Sequence, residues 1–216
     1  EWISCLLLHA FVGEQSDENW LSQLTEGQID EEKLQQIVAQ NNKKPLANLP
    51  NAASLIAWLV VSHHRLPLPK DEDNYKHFKE NKEEPIPRFQ DLFKLITANF
   101  GYENKYDPDQ YQQRLKECFK FPKGLLSQSN SWLKELKKWA SRLQQGLPLL
   151  EESLSNGCWR LILHHCRLSL MLGDHYYSSQ KADDKWQSEI ELFANTDKDK
   201  KLKQKLDEHL VGVAKN

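Results

Sequence analysis

Two adjacent histidines stand where one apolar segment ends, and an aspartate followed by a histidine stands where a later apolar segment ends. His63 and His64 follow the segment AASLIAWLVVS, whose apolar residues recur at helical spacing. This helix is expected to stop before Pro67, because proline cannot continue a helix and disfavours helical geometry in the preceding residue. Asp174 and His175 lie near the end of the later segment. Imidazoles and carboxylates suit first-row ions such as Mn, Fe, Ni, Co or Zn, and such ions catalyse phosphodiester hydrolysis.

The same residues have a second interpretation. Histidines near a helix C-terminus interact with the helix dipole and with the last carbonyl groups. An acid at the end of a buried helix can likewise be a cap whose hydrogen bonds are satisfied. His63, His64 and Asp174 are also only three ligands, which is too few for a two-metal centre. Metal-dependent hydrolysis and helix capping therefore both stay open.

The later apolar segment, Cys158–Gln180, is predicted to form the central helix of the fold. Its apolar residues recur at steps of three and four, and further leucines widen the stripe. We expect a helix over 158–178 that is buried on most sides. Its arginines and histidines make it too polar to span a bilayer.

Composition places the chain among all-α proteins. The 216 residues include 29 Lys and Arg against 31 Asp and Glu, so no global basic field indicates nucleic acid. Few glycines and prolines and many Leu, Gln, Lys and Glu residues favour helix. The four cysteines show no CxxC spacing, which favours free thiols in a reducing cytoplasm. We find no secretory signal, P-loop, GxSxG motif or glycine-rich dinucleotide turn.

A basic surface is the second candidate for contact with a ligand. The helix 132–145 is expected to begin at a Ser131 cap and to end before Pro148, which opens a separate short helix. Its basic face is formed by Lys134, Lys137, Lys138 and Arg142. Lys134 and Lys138, together with Arg65 beside the histidine pair, are candidate contacts for nucleic acid, whereas a solvated outer face is the alternative. A long charged loop is expected at 70–88.

Four short segments together resemble a known family. They are EWIS at 1–4, VVSHHRLP at 60–67, RLSLMLGDHYYSSQ at 167–180 and LDEHLVGV at 206–213. They resemble, in the same order, segments of the HD nuclease domain of the type I CRISPR-associated helicase–nuclease. The I-F subtype, in which that protein carries a fused adaptation subunit, is the most similar. The resemblance covers most of the chain, while the intervening loops match only loosely.

The resemblance implies a set of functional residues. His63, His64 and Asp174 fall on metal ligands of the family, and His175 falls beside them, where it can support a ligand without binding the ion. Two divalent transition metals (Mn, Ni, Co or Fe) are implied, together with cleavage of single-stranded DNA delivered by an ATP- and Mg-dependent helicase. The family's other ligands and its helicase lobes belong beyond the two ends of the chain. The chain is therefore expected to be a fragment that is inactive alone.

The resemblance also implies partners and a division of the chain. The expected partners are single-stranded DNA, the CRISPR surveillance complex and adaptation proteins, in the cytoplasm and away from membranes. Residues 1–195 are expected to form a partial HD-type nuclease domain, and 196–216 a connecting helix toward a helicase region. Two other functions stay open: a non-catalytic helical docking module, and a metal-independent single-strand binder that uses the Lys134–Arg142 face.

Overall fold

The structure, a computed structural model, describes residues 1–38, 46, 48–64, 93, 108–121, 124–179, 193–196, 202–205, 211–212 and 215. In these residues the helices are α1 Trp2–Val12, α2 Asp17–Glu26, α3 Glu31–Val38, α4 Asn51–Ser62, α5 Pro108–Cys118, α6 Asn130–Asn156 and α7 Trp159–Ser179, with a 3₁₀ turn at Leu126–Gln128. The charged loop predicted at 70–88, and Arg65, lie outside the described residues. No described helix is both long and apolar enough to cross a membrane.

The all-α prediction is confirmed, with one short ladder at the end of the described chain. The strands β1 (Phe193–Thr196) and β2 (Leu202–Lys205) pair antiparallel with an irregular register. The prediction of one connecting helix over 196–216 differs from the structure here, because Leu202–Lys205 is extended. This lysine-rich stretch has no apolar face at helical spacing, so pairing with β1 decides its local conformation.

Of the helices that the structure describes, α4 is the most deeply buried. It has no charged residue, and α1, α2 and α7 all pack against it. Its buried residues are Ala52, Ala53, Ser54, Ala57, Trp58, Val61 and Ser62. Most of these are small, so neighbouring helices can approach α4 closely. The thiol of Cys5, on α1, lies 3.5 Å from the Ala57 carbonyl oxygen, and burial raises the pKa of this thiol to about 12.

The helix predicted over 158–178 exists as α7, but the prediction that it is the buried centre is wrong. Trp159 and Leu163 are buried, whereas Leu161, Leu168 and Leu172 are 62%, 47% and 62% exposed. The apolar residues extend around more of α7 than its described neighbours α4 and α6 cover. The polar residues within α7 mark it as less central than the uncharged α4.

The helix predicted over 132–145 is longer at both ends. Ser129, and not Ser131, caps α6 by accepting a hydrogen bond from the Trp132 N–H at 3.2 Å. Pro148 lies inside the helix and does not divide it. A proline inside a helix removes one backbone donor and crowds the carbonyl of the preceding turn, and the packing of α6 against α2 and α7 outweighs that cost.

The first turn of α4 is capped by a residue from another helix. Pro50 is the N-cap residue, and it provides no side-chain hydrogen bond. Asp17, at the start of α2 and only 7% exposed, accepts hydrogen bonds from the N–H groups of Ala52 (2.8 Å) and Ala53 (3.2 Å). Its carboxylate also accepts the indole N–H of Trp20 at 2.8 Å. One buried carboxylate thus satisfies free donors of α4 and holds α2 against it.

Replacement of Asp17 should destabilise the fold strongly. Asp17→Ala leaves three buried donors without an acceptor, and we expect a loss of about 2–4 kcal/mol in the free energy of unfolding. Asp17→Asn keeps an oxygen in place but loses the charge, so its loss should be smaller. Urea unfolding checks this, with Glu32→Ala, an exposed first-turn acid of α3, as the control. A midpoint for Asp17→Ala equal to that of the control would show that the cap contributes nothing.

Candidate metal centre

The C-terminal end of α4 presents the two predicted histidines side by side. His63 is the C-cap residue of α4, with φ −66° and ψ −32°, and is half-buried. The side chain of His64 is 54% exposed. The centroids of the two rings are 4.0 Å apart, and the ring planes are tilted by 41°. The two imidazoles therefore lie against each other, although successive residues of a regular helix point about 100° apart.

The hydrogen bond of His63 determines which ring nitrogen is free. The Nδ1 atom lies 2.8 Å from the carbonyl oxygen of Val60. A carbonyl oxygen can only accept, so Nδ1 must carry the proton in this contact. The neutral ring then has its lone pair on Nε2 and can bind a metal ion there. A backbone acceptor behind the ring is a common way to fix a metal-binding histidine.

A third ligand-type group near the histidines is the side chain of Glu1. A carboxylate oxygen of Glu1 lies 3.7 Å from Nε2 of His64. Glu1, His63 and His64 each offer one ligand atom, and these three atoms lie within 4.8 Å of one another. Because α1 packs against α4 with its N-terminal end beside the C-terminal end of α4, the first residue of the chain reaches residue 64. Sequence reasoning missed Glu1 as a ligand, although the EWIS motif had indicated this segment.

The carbonyl groups at this end of α4 are bound by α7. Arg167 donates from Nε to the carbonyl oxygen of Ser62 at 2.7 Å, and from Nη2 to that of His63 at 3.4 Å. The hydroxyl of Ser62 is buried without a hydrogen-bond partner. This end of α4 therefore combines a backbone held by Arg167, the two imidazoles, and the Ser62 hydroxyl, which has no hydrogen-bond partner.

Asp174 lies on the same helix as Arg167 but does not belong to the three-ligand group. It is half-buried and seven residues beyond Arg167, which is two helical turns, or about 10 Å along the axis. Among the described residues, only Glu1, His63 and His64 form such a group. His175, beside Asp174, is exposed. The shared use of one ion by Asp174 and the histidines stays a prediction, as does the supporting role of His175.

The donor set fits a first-row metal ion. Two imidazoles and one carboxylate are the ligands that ions such as Mn, Fe, Co, Ni and Zn accept, and three protein ligands leave coordination positions open. The exposure of His64 places the site at the surface, where a large substrate can reach it. An open site of this kind is typical of catalytic metals and not of structural ones.

Three of the four cations of the basic face on α6 are exposed while Lys137 is half-buried, and the face includes an aromatic ring. Lys134 and Lys138 are exposed, and Lys138 pairs with Glu135 at 2.6 Å. The ring of Trp139 is 43% exposed, and the guanidinium carbon of Arg142 lies 4.6 Å from its centroid. Exposed aromatic and cationic groups of this kind are found together on surfaces that bind single-stranded nucleic acid.

The chain is similar in sequence to a part of two much longer proteins. No family model matches the chain. A protein of Pectobacterium atrosepticum is 36% identical over 225 aligned residues, covering 100% of this chain and 20% of that protein. A protein of Pseudomonas aeruginosa is 32% identical over 231 aligned residues, covering 99% of this chain and 19% of that protein. Both are described as CRISPR-associated nuclease/helicase Cas3 of subtype I-F/YPEST. The chain thus spans about a fifth of the length of these two curated relatives, and along essentially its whole length it is related to Cas3 proteins of subtype I-F/YPEST.

Proposed function

We propose that this chain is part of a metal-dependent nuclease region that cuts single-stranded DNA for CRISPR defence. The observation that carries the proposal is the group of Glu1, His63 and His64 at the exposed end of the buried helix α4. The similarity to proteins named nuclease/helicase supports the same activity. We also propose that this region is an HD-type nuclease that acts on single-stranded DNA in the cytoplasm. Its proposed partners are the surveillance complex and the adaptation proteins.

The residues of this chain have separate roles in the proposed reaction. His63 binds an ion through Nε2, while its Nδ1–H is held by the Val60 carbonyl. His64 completes one side of the site, and Glu1 supplies a negative charge next to it. Asp174, on α7 and outside the group of Glu1, His63 and His64, is proposed to bring a second carboxylate to the site. Two ions of Mn, Ni, Co or Fe supply Lewis acidity for in-line hydrolysis of a phosphodiester. ATP and Mg are proposed only for a helicase region.

A second candidate function is a non-catalytic docking module. It is favoured by the apolar residues that α6 and α7 expose, among them Leu149, Leu161 and Leu172 at 67%, 62% and 62%. By helical spacing Leu161, Leu168 and Leu172 share one face of α7, and exposed apolar faces are typical of protein interaction sites. Docking requires no metal ion, so metal titration distinguishes the two functions.

The metal affinity of the chain should depend on the histidine pair. We expect His63→Ala and His64→Ala each to weaken Co²⁺ or Ni²⁺ binding by at least about 10–100-fold, because each removes a ligand. Glu1→Gln should weaken binding less. Isothermal titration calorimetry measures this, with His164→Ala, an exposed histidine of α7, as the control. Equal affinities for the control and both ligand variants would refute the site.

The nuclease activity should be lost with the same ligands. In the complete natural protein that carries this chain, His64→Ala or Asp174→Ala should abolish Mn²⁺-dependent nicking of single-stranded DNA. The fold should be retained, because the buried apolar residues that stabilise it lie elsewhere. Gel assays of a labelled circular single strand follow the activity, and circular dichroism follows the fold. Unchanged nicking in both variants would contradict the proposal.

Binding of DNA to the basic face should appear as a change in salt dependence. Lys134→Ala and Lys138→Ala each remove one cation, and where that cation neutralises a phosphate the slope of log K against log salt should fall by about 0.7. Trp139→Ala should cost about 1–3 kcal/mol if one base stacks on the ring. Fluorescence anisotropy with oligothymidine in EDTA measures these effects without a metal. The control is Lys116→Ala, which replaces an exposed lysine of α5. If Lys134→Ala and Lys138→Ala give the same salt dependence as this control, the basic face of α6 does not bind the DNA.

A further inference from the structure

The end of α4 differs from the ends of the neighbouring helices. Helices α1, α2 and α6 end at glycines with φ of +57°, +77° and +85°. At Gly13 and Gly27 the N–H group that follows the helix donates to a carbonyl oxygen of the last turn, that of His9 and that of Leu24 respectively. Helix α4 instead ends at His63 in right-handed helical geometry. The carbonyl groups of Ser62 and His63, at this end of α4, accept hydrogen bonds from a partner on another helix.

Arg167 is that partner. Its Nε and Nη2 atoms donate to the carbonyl oxygens of Ser62 and His63, at 2.7 and 3.4 Å. These two donors lie on one edge of a rigid, planar guanidinium group, so the orientation of one bond fixes that of the other. The positive charge also complements the negative end of the helix dipole. A lysine in this position would provide the positive charge but not two donors in a fixed planar arrangement.

The two carbonyl groups belong to the peptide units on either side of His63. Holding both units fixes the direction in which the His63 side chain leaves the backbone, and it also fixes the start of residue 64. The 2.8 Å contact of His63 Nδ1 with the Val60 carbonyl then sets the ring itself. The hydrogen bonds of Arg167 are to backbone carbonyl oxygens, so it acts on the two ligands through the backbone.

The same contact also constrains the position of Asp174, the other carboxylate proposed for the site. Arg167 and Asp174 are seven residues apart on α7, so they lie on nearly the same face of the helix. The anchor at Arg167 fixes the register of α7 against the end of α4. The distance from Asp174 to the histidine pair is then determined by two rigid helical turns.

We propose that Arg167 is a positioning residue for the His63–His64 pair, holding the backbone so that Nε2 of His63 and the ring of His64 face a common ion. The inference rests on the proposed metal site, but the arginine contact itself stands independently of any metal. A purely structural role for Arg167 would affect the stability of the fold and leave the histidine geometry and the metal affinity unchanged.

The test compares Arg167→Lys and Arg167→Gln with the unmodified chain and with Arg160→Gln. Arg160 is an exposed arginine on the same helix that stacks on Trp159, so its replacement removes the same charge away from the histidines. Co²⁺ affinity is measured by calorimetry at a temperature where all variants are folded. We expect Arg167→Gln to weaken binding by about 10–100-fold, as loss of an outer partner does. The Co²⁺ affinity of Arg167→Lys should lie between those of Arg167→Gln and the unmodified chain. The affinity of Arg160→Gln should equal that of the unmodified chain.

A second measurement separates this inference from the proposed function. Nitrogen-15 NMR of the histidine rings in the metal-free chain reports the tautomer of His63. The unmodified chain should show the Nδ1–H form, and Arg167→Gln should show a mixture of tautomers. If the unmodified chain binds no Co²⁺, Ni²⁺ or Mn²⁺, the proposed function fails, and the ring spectra alone decide the role of Arg167. Equal metal affinity, or an unchanged His63 tautomer in Arg167→Gln, would overturn the positioning role.

Discussion

The contact between the Asp17 carboxylate and the first turn of α4 is the constraint on which the rest of the structure depends. Helix α4 is buried along most of its length, and it begins after a proline that offers no side-chain cap. Its first N–H groups would be costly to bury without acceptors. Asp17 accepts two of them, and at the same time it accepts the indole N–H of Trp20. Through this carboxylate the position of α4 is fixed relative to α2.

The two ends of α4 are held in complementary ways. A carboxylate from α2 stands at the positive N-terminal end, and a guanidinium from α7 stands at the negative C-terminal end. Both groups complement the helix dipole, and both come from neighbouring helices. Since an uncharged, small-residue helix lets neighbours pack closely, the ends of α4 are placed with little freedom. The two imidazoles thus extend from a rigid support.

The sequence predicts the helical fold and the position of the histidine pair well, because both depend on local signals. Apolar spacing and Pro67 predict an end of α4 near His63, and α4 does end at Ser62. The predicted burial of α7 was wrong, because periodicity reports an apolar face but not how much of it a neighbour covers. Glu1 and Arg167 could not be predicted as neighbours of the pair, since their contacts join residues far apart in sequence. The cap from Asp17 to residues 52 and 53 could not be predicted for the same reason.

The proposed binding of a metal ion by His63 and His64 is tested most directly by X-ray absorption spectroscopy of the Mn²⁺- or Co²⁺-loaded complete natural protein. The account predicts an ion whose shell contains imidazole nitrogen from both residues, with the imidazole contribution falling by one ligand in each single histidine variant. A metal shell that is unchanged in both variants, or made of oxygen alone, would contradict it.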